Sequence, residues 1–144
     1  MYARIDLSKT NYQPMGPFYY GIIARPNIDA LEDLYNRYCV YKKFKSVMPI
    51  FPEEYTEPNN DVIGYYNLNS KLVAFSLIRR YNEKNAEAIQ FAWDYENPEM
   101  KLGIASLKNE CAIYKARGFD YLYLGSADEY KKQIDGFEIL GPRT

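Results

Sequence analysis

The stretch from Ala86 to Gly125 constrains the fold of this chain more than any other part of it. Ala88 to Trp93 reads as a strand, and Asn97-Pro98-Glu99 breaks the extended run. A helix is predicted to start near Gly103, with Ile104, Leu107, Cys111 and Tyr114 forming its apolar stripe. Lys108, Glu110, Lys115 and Arg117 are then expected to face water. Gly118 stands where a left-handed residue ends a helix, and Phe119 to Leu124 follows at once as a buried strand. A strand, a helix and a strand at this spacing form a crossover, so Ala88–Trp93 and Tyr121–Leu124 should pair in parallel.

The pattern upstream is different. Residues Met1 to Pro17 are polar and turn-rich, and the reading for 1–17 is an irregular segment. Phe18 to Ala24 reads as a strand, ended by Pro26. Asn27 can cap a helix carrying Ile28, Leu31, Tyr35 and Tyr38 on one face, which should run to about Lys42. After a proline-rich interval, Val62–Tyr66, Leu72–Ile78 and Ala88–Trp93 are joined by short turns, which makes an antiparallel meander. Leu72–Ile78 is apolar on both faces and so belongs in the middle of a covered sheet. The expected architecture is an α/β mixed sheet in which an antiparallel meander precedes a β-α-β crossover. A length of 144 residues fits one domain, 1–144.

Composition removes several chemistries. With no histidine there is no Ser-His or Cys-His nucleophile pair and no imidazole base. Acid–base work falls to carboxylates, tyrosines, lysines, water or the substrate itself. Cys39 and Cys111 are far apart, so neither a disulfide framework nor a metal site is expected. No apolar run approaches the roughly 20 residues that span a bilayer, and the first residues lack a signal-peptide pattern; cytoplasmic is the expectation. A formal charge of −1 argues against a broad nucleic-acid surface, although Lys42, Lys43 and Lys45 cluster. Tyrosine supplies 16 residues, spread along the whole chain, which predicts many rings at the margin of the core.

The joint between Trp93 and Gly103 is where ligand chemistry is expected. A helix start presents unpaired N–H groups and the positive end of the dipole, which suit phosphate or carboxylate. Gly103 admits close approach of backbone, and Lys101 adds a cation. Met100-Lys101-Leu102-Gly103-Ile104-Ala105 resembles the pyrophosphate loop of the GNAT superfamily of N-acyltransferases, Gln/Arg-x-x-Gly-x-Gly/Ala. Gly103 and Ala105 match, and Met100 stands in the Gln/Arg position. The order of elements also resembles that GNAT-like fold over nearly the whole chain.

A narrower resemblance, over the last third, is to the C-terminal domain of the arginyl- and leucyl-tRNA–protein transferases. It rests on Asp94-Tyr95-Glu96-Asn97-Pro98, Leu102-Gly103, Tyr121 to Gly125, Tyr130-Lys131 and Glu138-Ile139-Leu140. The superfamily resemblance implies direct transfer from an acyl-CoA, acetyl-CoA foremost, to an amine. It implies backbone contacts to the donor from Phe91, Ala92 and Trp93 and from Lys101, Leu102, Gly103, Ile104 and Ala105. Tyr130 is then the candidate acid, and Asp94 or Glu96 the candidate proton relay.

Three functions stand open on these grounds. The first is an N-acyltransferase for a small-molecule or peptide amine. The second takes its donor from charged tRNA, through Lys42–Lys45, Lys131 and Lys132. The third is a non-catalytic module whose aromatic surface serves a partner, a second copy included.

Overall fold

The computed structural model describes residues 2–44, 48–94, 102–125 and 129–141. Its strands are β1 (Tyr2–Asp6), β2 (Tyr20–Ile22), β3 (Asn60–Tyr66), β4 (Leu72–Arg80), β5 (Asn85–Trp93), β6 (Tyr121–Leu124) and β7 (Phe137–Gly141). Helices α1 (Ile28–Lys42) and α2 (Leu102–Ala116) are placed as the periodicity predicts. The strands form one mixed sheet in the order β2-β3-β4-β5-β6-β1-β7. Every pairing is antiparallel except β5 with β6, which is the parallel crossover pair.

Local chemistry explains both helices. The Asn27 side chain accepts from the N–H of Ala30 at 3.2 Å, satisfying a donor that the helix leaves unpaired. Lys43 closes α1 in the left-handed region at φ 57, where its N–H reaches the Val40 carbonyl. Gly118 closes α2 at φ +90, and the Phe119 N–H reaches back to the Tyr114 carbonyl at 3.0 Å.

The helices bury two separate clusters. Leu31 and Leu34 of α1 join Val62, Phe75, Leu77 and Ala92. Leu107, Cys111 and Tyr114 of α2 join Ile63, Ala74, Ile78, Leu122 and Leu124. Alternate β4 side chains therefore enter opposite cores, as a strand apolar on both faces requires.

One expectation needs correction. Residues 1–17 are not irregular throughout, because β1 lies between β6 and β7. Ala3 and Ile5 are wholly buried under α2, while Arg4 points the other way. There its guanidinium stacks 4.0 Å above the Tyr121 ring and pairs with Glu138 at 3.4 Å. Tyr-Ala-Arg-Ile-Asp alternates as a strand should, but five residues are too few to outweigh the turn-rich stretch behind them. The expected strand from Phe18 to Ala24 shortens to Tyr20–Ile22, with Phe18 almost fully exposed.

Tyrosines do more than line the core margin. Tyr55, Tyr65 and Tyr114 are fully buried, and each hydroxyl donates to a polar side chain. Tyr114 donates to Asp61 at 2.7 Å, and Arg117 and Arg80 also approach that carboxylate, at 3.1 and 3.2 Å. Tyr114→Phe should therefore cost only about 1 kcal/mol, since Asp61 keeps both cations. Urea unfolding of the variant measures this.

Candidate functional site

The sheet forks where its two parallel strands meet. The β5–β6 register runs from Asn85↔Tyr121 to Ala88↔Leu124 and stops there. A bulge in the β4–β5 ladder falls at the same point, because Leu77 faces Gln90 whereas Ile78 faces Ala88. The extra residue, Ile89, bends β5 away from β6. Among the described residues, the β6-facing edge of Ile89–Trp93 carries no strand partner. The parallel pairing is thus confined to the first half of β5 rather than running along Ala88–Trp93.

A cleft of about 620 Å³ opens at this fork. Phe91, Gly103, Lys131 and Tyr38 of α1 line it together. Tyr38 meets the Phe91 ring edge-on, with centroids 6.0 Å apart. Gly103 sits in the first turn of α2, and its carbonyl accepts from the Ser106 hydroxyl at 3.2 Å. The N–H groups of that first turn have no partner within the helix, so the helix start presents donors beside the cleft.

The other expected contacts divide. Ala92 is buried in the α1-side core, and Leu102, 1% exposed, anchors the start of α2 in the other core. Trp93 and Ile104 are half-buried and pack against that second core, and Ala105 is half-buried. Asp94 is buried at the end of β5, 3.6 Å from Arg37 and 3.8 Å from Lys71. Those ion pairs tie the strand end to α1 and to the turn between β3 and β4. Glu96 and Lys101 lie outside the described residues, as do Met100 and Lys45. Tyr130 belongs to the 3-10 turn Glu129–Gln133, and its side chain lies outside the described residues.

Glu110, expected to face water, is instead 3% exposed and lines the cleft. Its Oε2 accepts from the Tyr65 hydroxyl at 2.5 Å and from the Ser76 hydroxyl at 2.7 Å. The Asn109 amide donates to the same tyrosine oxygen at 3.3 Å. Burial pushes the Glu110 carboxyl up to about 7, against the two hydrogen bonds that favour its charged form. Burial and the neighbouring carboxylate likewise push the Tyr65 hydroxyl well up, so it stays a donor. Among the described residues no cation pairs with Glu110. The helical stripe alone did not reveal this residue. Ser76 on an otherwise apolar strand is the one sequence signal for a polar pocket there.

Among the described residues, no group of three His, Cys, Asp or Glu side chains comes together as a metal site. No described helix is long and apolar enough to cross a membrane.

A mixed sheet forked between its parallel strands, with a helix starting at the fork, is a GNAT-like α/β fold. The chain is similar to N-myristoyltransferase of Saccharomyces cerevisiae with bound myristoyl-CoA, at TM-score 0.66 and 12% identity. That match covers 94% of this chain but 46% of the transferase, so this chain spans less than half its length. An aminoglycoside acetyltransferase from an uncultured soil metagenomic sample gives TM-score 0.55 at 17% identity, covering 78% and 79% of the two chains. A GCN5-related N-acetyltransferase from Kribbella flavida gives TM-score 0.55 at 13% identity, covering 95% and 52%. No protein-family model matches the sequence, and no curated protein matches it.

Proposed function

We propose that this chain is an N-acyltransferase that moves an acyl group from an acyl-CoA donor to a primary amine on a small molecule or peptide. The observation that carries this reading is the fork, where a strand edge with no strand partner among the described residues and the start of α2 border one open cleft. A donor needs both features. Free backbone groups along Phe91–Trp93 can hold its acyl carbonyl and amide arm. The N–H groups of Leu102 to Ala105 can hold its phosphates, with Gly103 admitting the close approach. Lys101 and Lys131 would add positive charge, and Tyr130 remains the candidate proton donor to the leaving thiolate. Two structural neighbours support the same chemistry, one holding myristoyl-CoA and one named for acetyl transfer to aminoglycosides. Asp94, held by Arg37 and Lys71, is better suited to fixing the end of β5 than to relaying protons.

The test is thermal unfolding with coenzyme A and with acetyl-CoA. Either should raise the melting temperature, with about 2.7 kcal/mol of added stability at a hundredfold excess over Kd. Gly103→Trp should remove the shift while leaving the unliganded protein folded by circular dichroism. An unchanged melting temperature at millimolar ligand would sink the reading.

A further inference from the structure

Glu110 is the feature that the donor cleft alone leaves unexplained. A carboxyl group 3% exposed normally carries a cation or a full set of hydrogen bonds. Here both donors, Tyr65 and Ser76, converge on Oε2. Oε1 accepts no hydrogen bond among the described residues, and the side chain borders the cleft beside Ser76, Ser106 and Gly103. The cradle spans three elements, since Tyr65 comes from β3, Ser76 from β4 and Glu110 from α2. Such an arrangement holds one carboxylate oxygen rigidly and leaves the other for a ligand that can donate.

We propose that Glu110 receives the acceptor amine as its ammonium ion and takes the proton that must leave before attack. This rests on the acyl-transfer reading above and names the acid–base group of that same site. An alkylamine is protonated at neutral pH, with a pKa of about 10, and has no lone pair until a base removes a proton. The ammonium gives one proton to Oε1 of Glu110, leaving a neutral amine and a neutral carboxylic acid. The amine nitrogen then forms a bond to the acyl carbon, and the carbon–sulfur bond breaks. The second nitrogen proton goes to the departing thiolate, and Glu110 returns its own proton to solvent. The products are an amide, the free thiol and one proton.

The surroundings suit a group that must gain and lose a proton near neutrality. Tyr65 faces Glu110 from β3 and Ser76 from β4. Cys111 and Tyr114 lie near it on α2, both pushed up by burial and by nearby carboxylate, so they stay neutral. Lys131, on the turn before β7, also lines the cleft. Glu110 itself, pushed up to about 7, is close to the operating pH, where a base is most effective.

The experiment compares two nucleophiles with acetyl-CoA as donor, following thiol release by wild-type protein and by Glu110→Gln. Butylamine is cationic at neutral pH and hydroxylamine is not. Glu110→Gln should lose about 100-fold or more in kcat/KM with butylamine and far less with hydroxylamine. The butylamine rate of the wild type should rise with pH and level off above about 7, whereas the variant, which can use only the free amine, should keep rising towards the amine pKa of about 10. Equal losses with both nucleophiles would overturn the proposal while leaving the acyl-transfer reading intact. NMR of the side-chain carboxyl carbons in glutamate-labelled protein gives a readout that needs no turnover. The resonance missing from Glu110→Gln should titrate lower when butylammonium is added, and an unmoved titration overturns the proposal even if neither nucleophile reacts. Failure of coenzyme A to bind in the thermal test is a separate result and strikes the parent reading instead.

Discussion

Glu110→Gln is expected to make the protein more stable than wild type by about 3 kcal/mol at mildly alkaline pH and to leave it unchanged in acid. The carboxyl sits near 4.5 in the unfolded chain and is pushed up to about 7 by burial in the native one. Between those limits the native state keeps a proton that the unfolded state has released, so stability falls as pH rises. Its stabilising share is complete below 4.5 and is lost as pH climbs through about 7, with a steepest slope of about 1.4 kcal/mol per pH unit. Glutamine is neutral throughout and offers one oxygen to both Tyr65 and Ser76, so the variant has no such slope. Urea unfolding of both proteins at several pH values measures the difference curve. Parallel curves would show that Glu110 ionises in the native state as readily as in water.

The second large effect is expected at Gly136, in the turn leading into β7. Its φ is +79, and a Cβ there would press on the Asp6 carbonyl oxygen and lie 3.3 Å from the Lys9 Cβ. Asp6 is the last residue of β1, and its N–H donates to the Gly136 carbonyl at 2.9 Å. Backbone lies on both sides of this contact, so no side chain can swing away to relieve it. Gly136→Ala should cost about 3–5 kcal/mol, combining backbone strain with overpacking. Gly118→Ala is the matched control. It also has a positive φ, at +90, but a Cβ there meets nothing within 4 Å. The control should lose about 1 kcal/mol, the backbone cost alone. Chemical unfolding of the two variants side by side separates conformation from contact.

Much of the fold was legible because it was written locally. Asn27, Gly118 and the stripe of Leu107, Cys111 and Tyr114 each act within a turn or two of helix. The two-faced pattern of Leu72–Ile78 placed β4 in the middle of the sheet, and Gly103 marked the start of the crossover helix beside the cleft. β1 was missed because its neighbours, β6 and β7, come from the far end of the chain. Five alternating residues become an interior strand only when two distant partners supply hydrogen bonds on both edges.

The candidate site divides in the same way. Phe91 and Gly103 line one cleft, as a strand ending shortly before a glycine at a helix start suggests. The surroundings of the carboxylates do not follow from the sequence. Asp94, at the strand end, is ion-paired to Arg37 and Lys71. Glu110 sits on α2 between Lys108 and Lys115, and its neighbours in sequence say nothing of Ser76 or Tyr65.

By itself, then, the sequence determined the helices, the meander and the crossover, because capping, periodicity and chain direction are properties of neighbouring residues. The tertiary structure alone decided that β1 fills the sheet, that the parallel strands part after Ala88, and that a glutamate is buried with no cation beside it among the described residues. Each of these depends on surfaces brought together from segments far apart in the chain, as Tyr2 and Gly141 are, where burial and hydrogen bonding, rather than local preference, set the outcome.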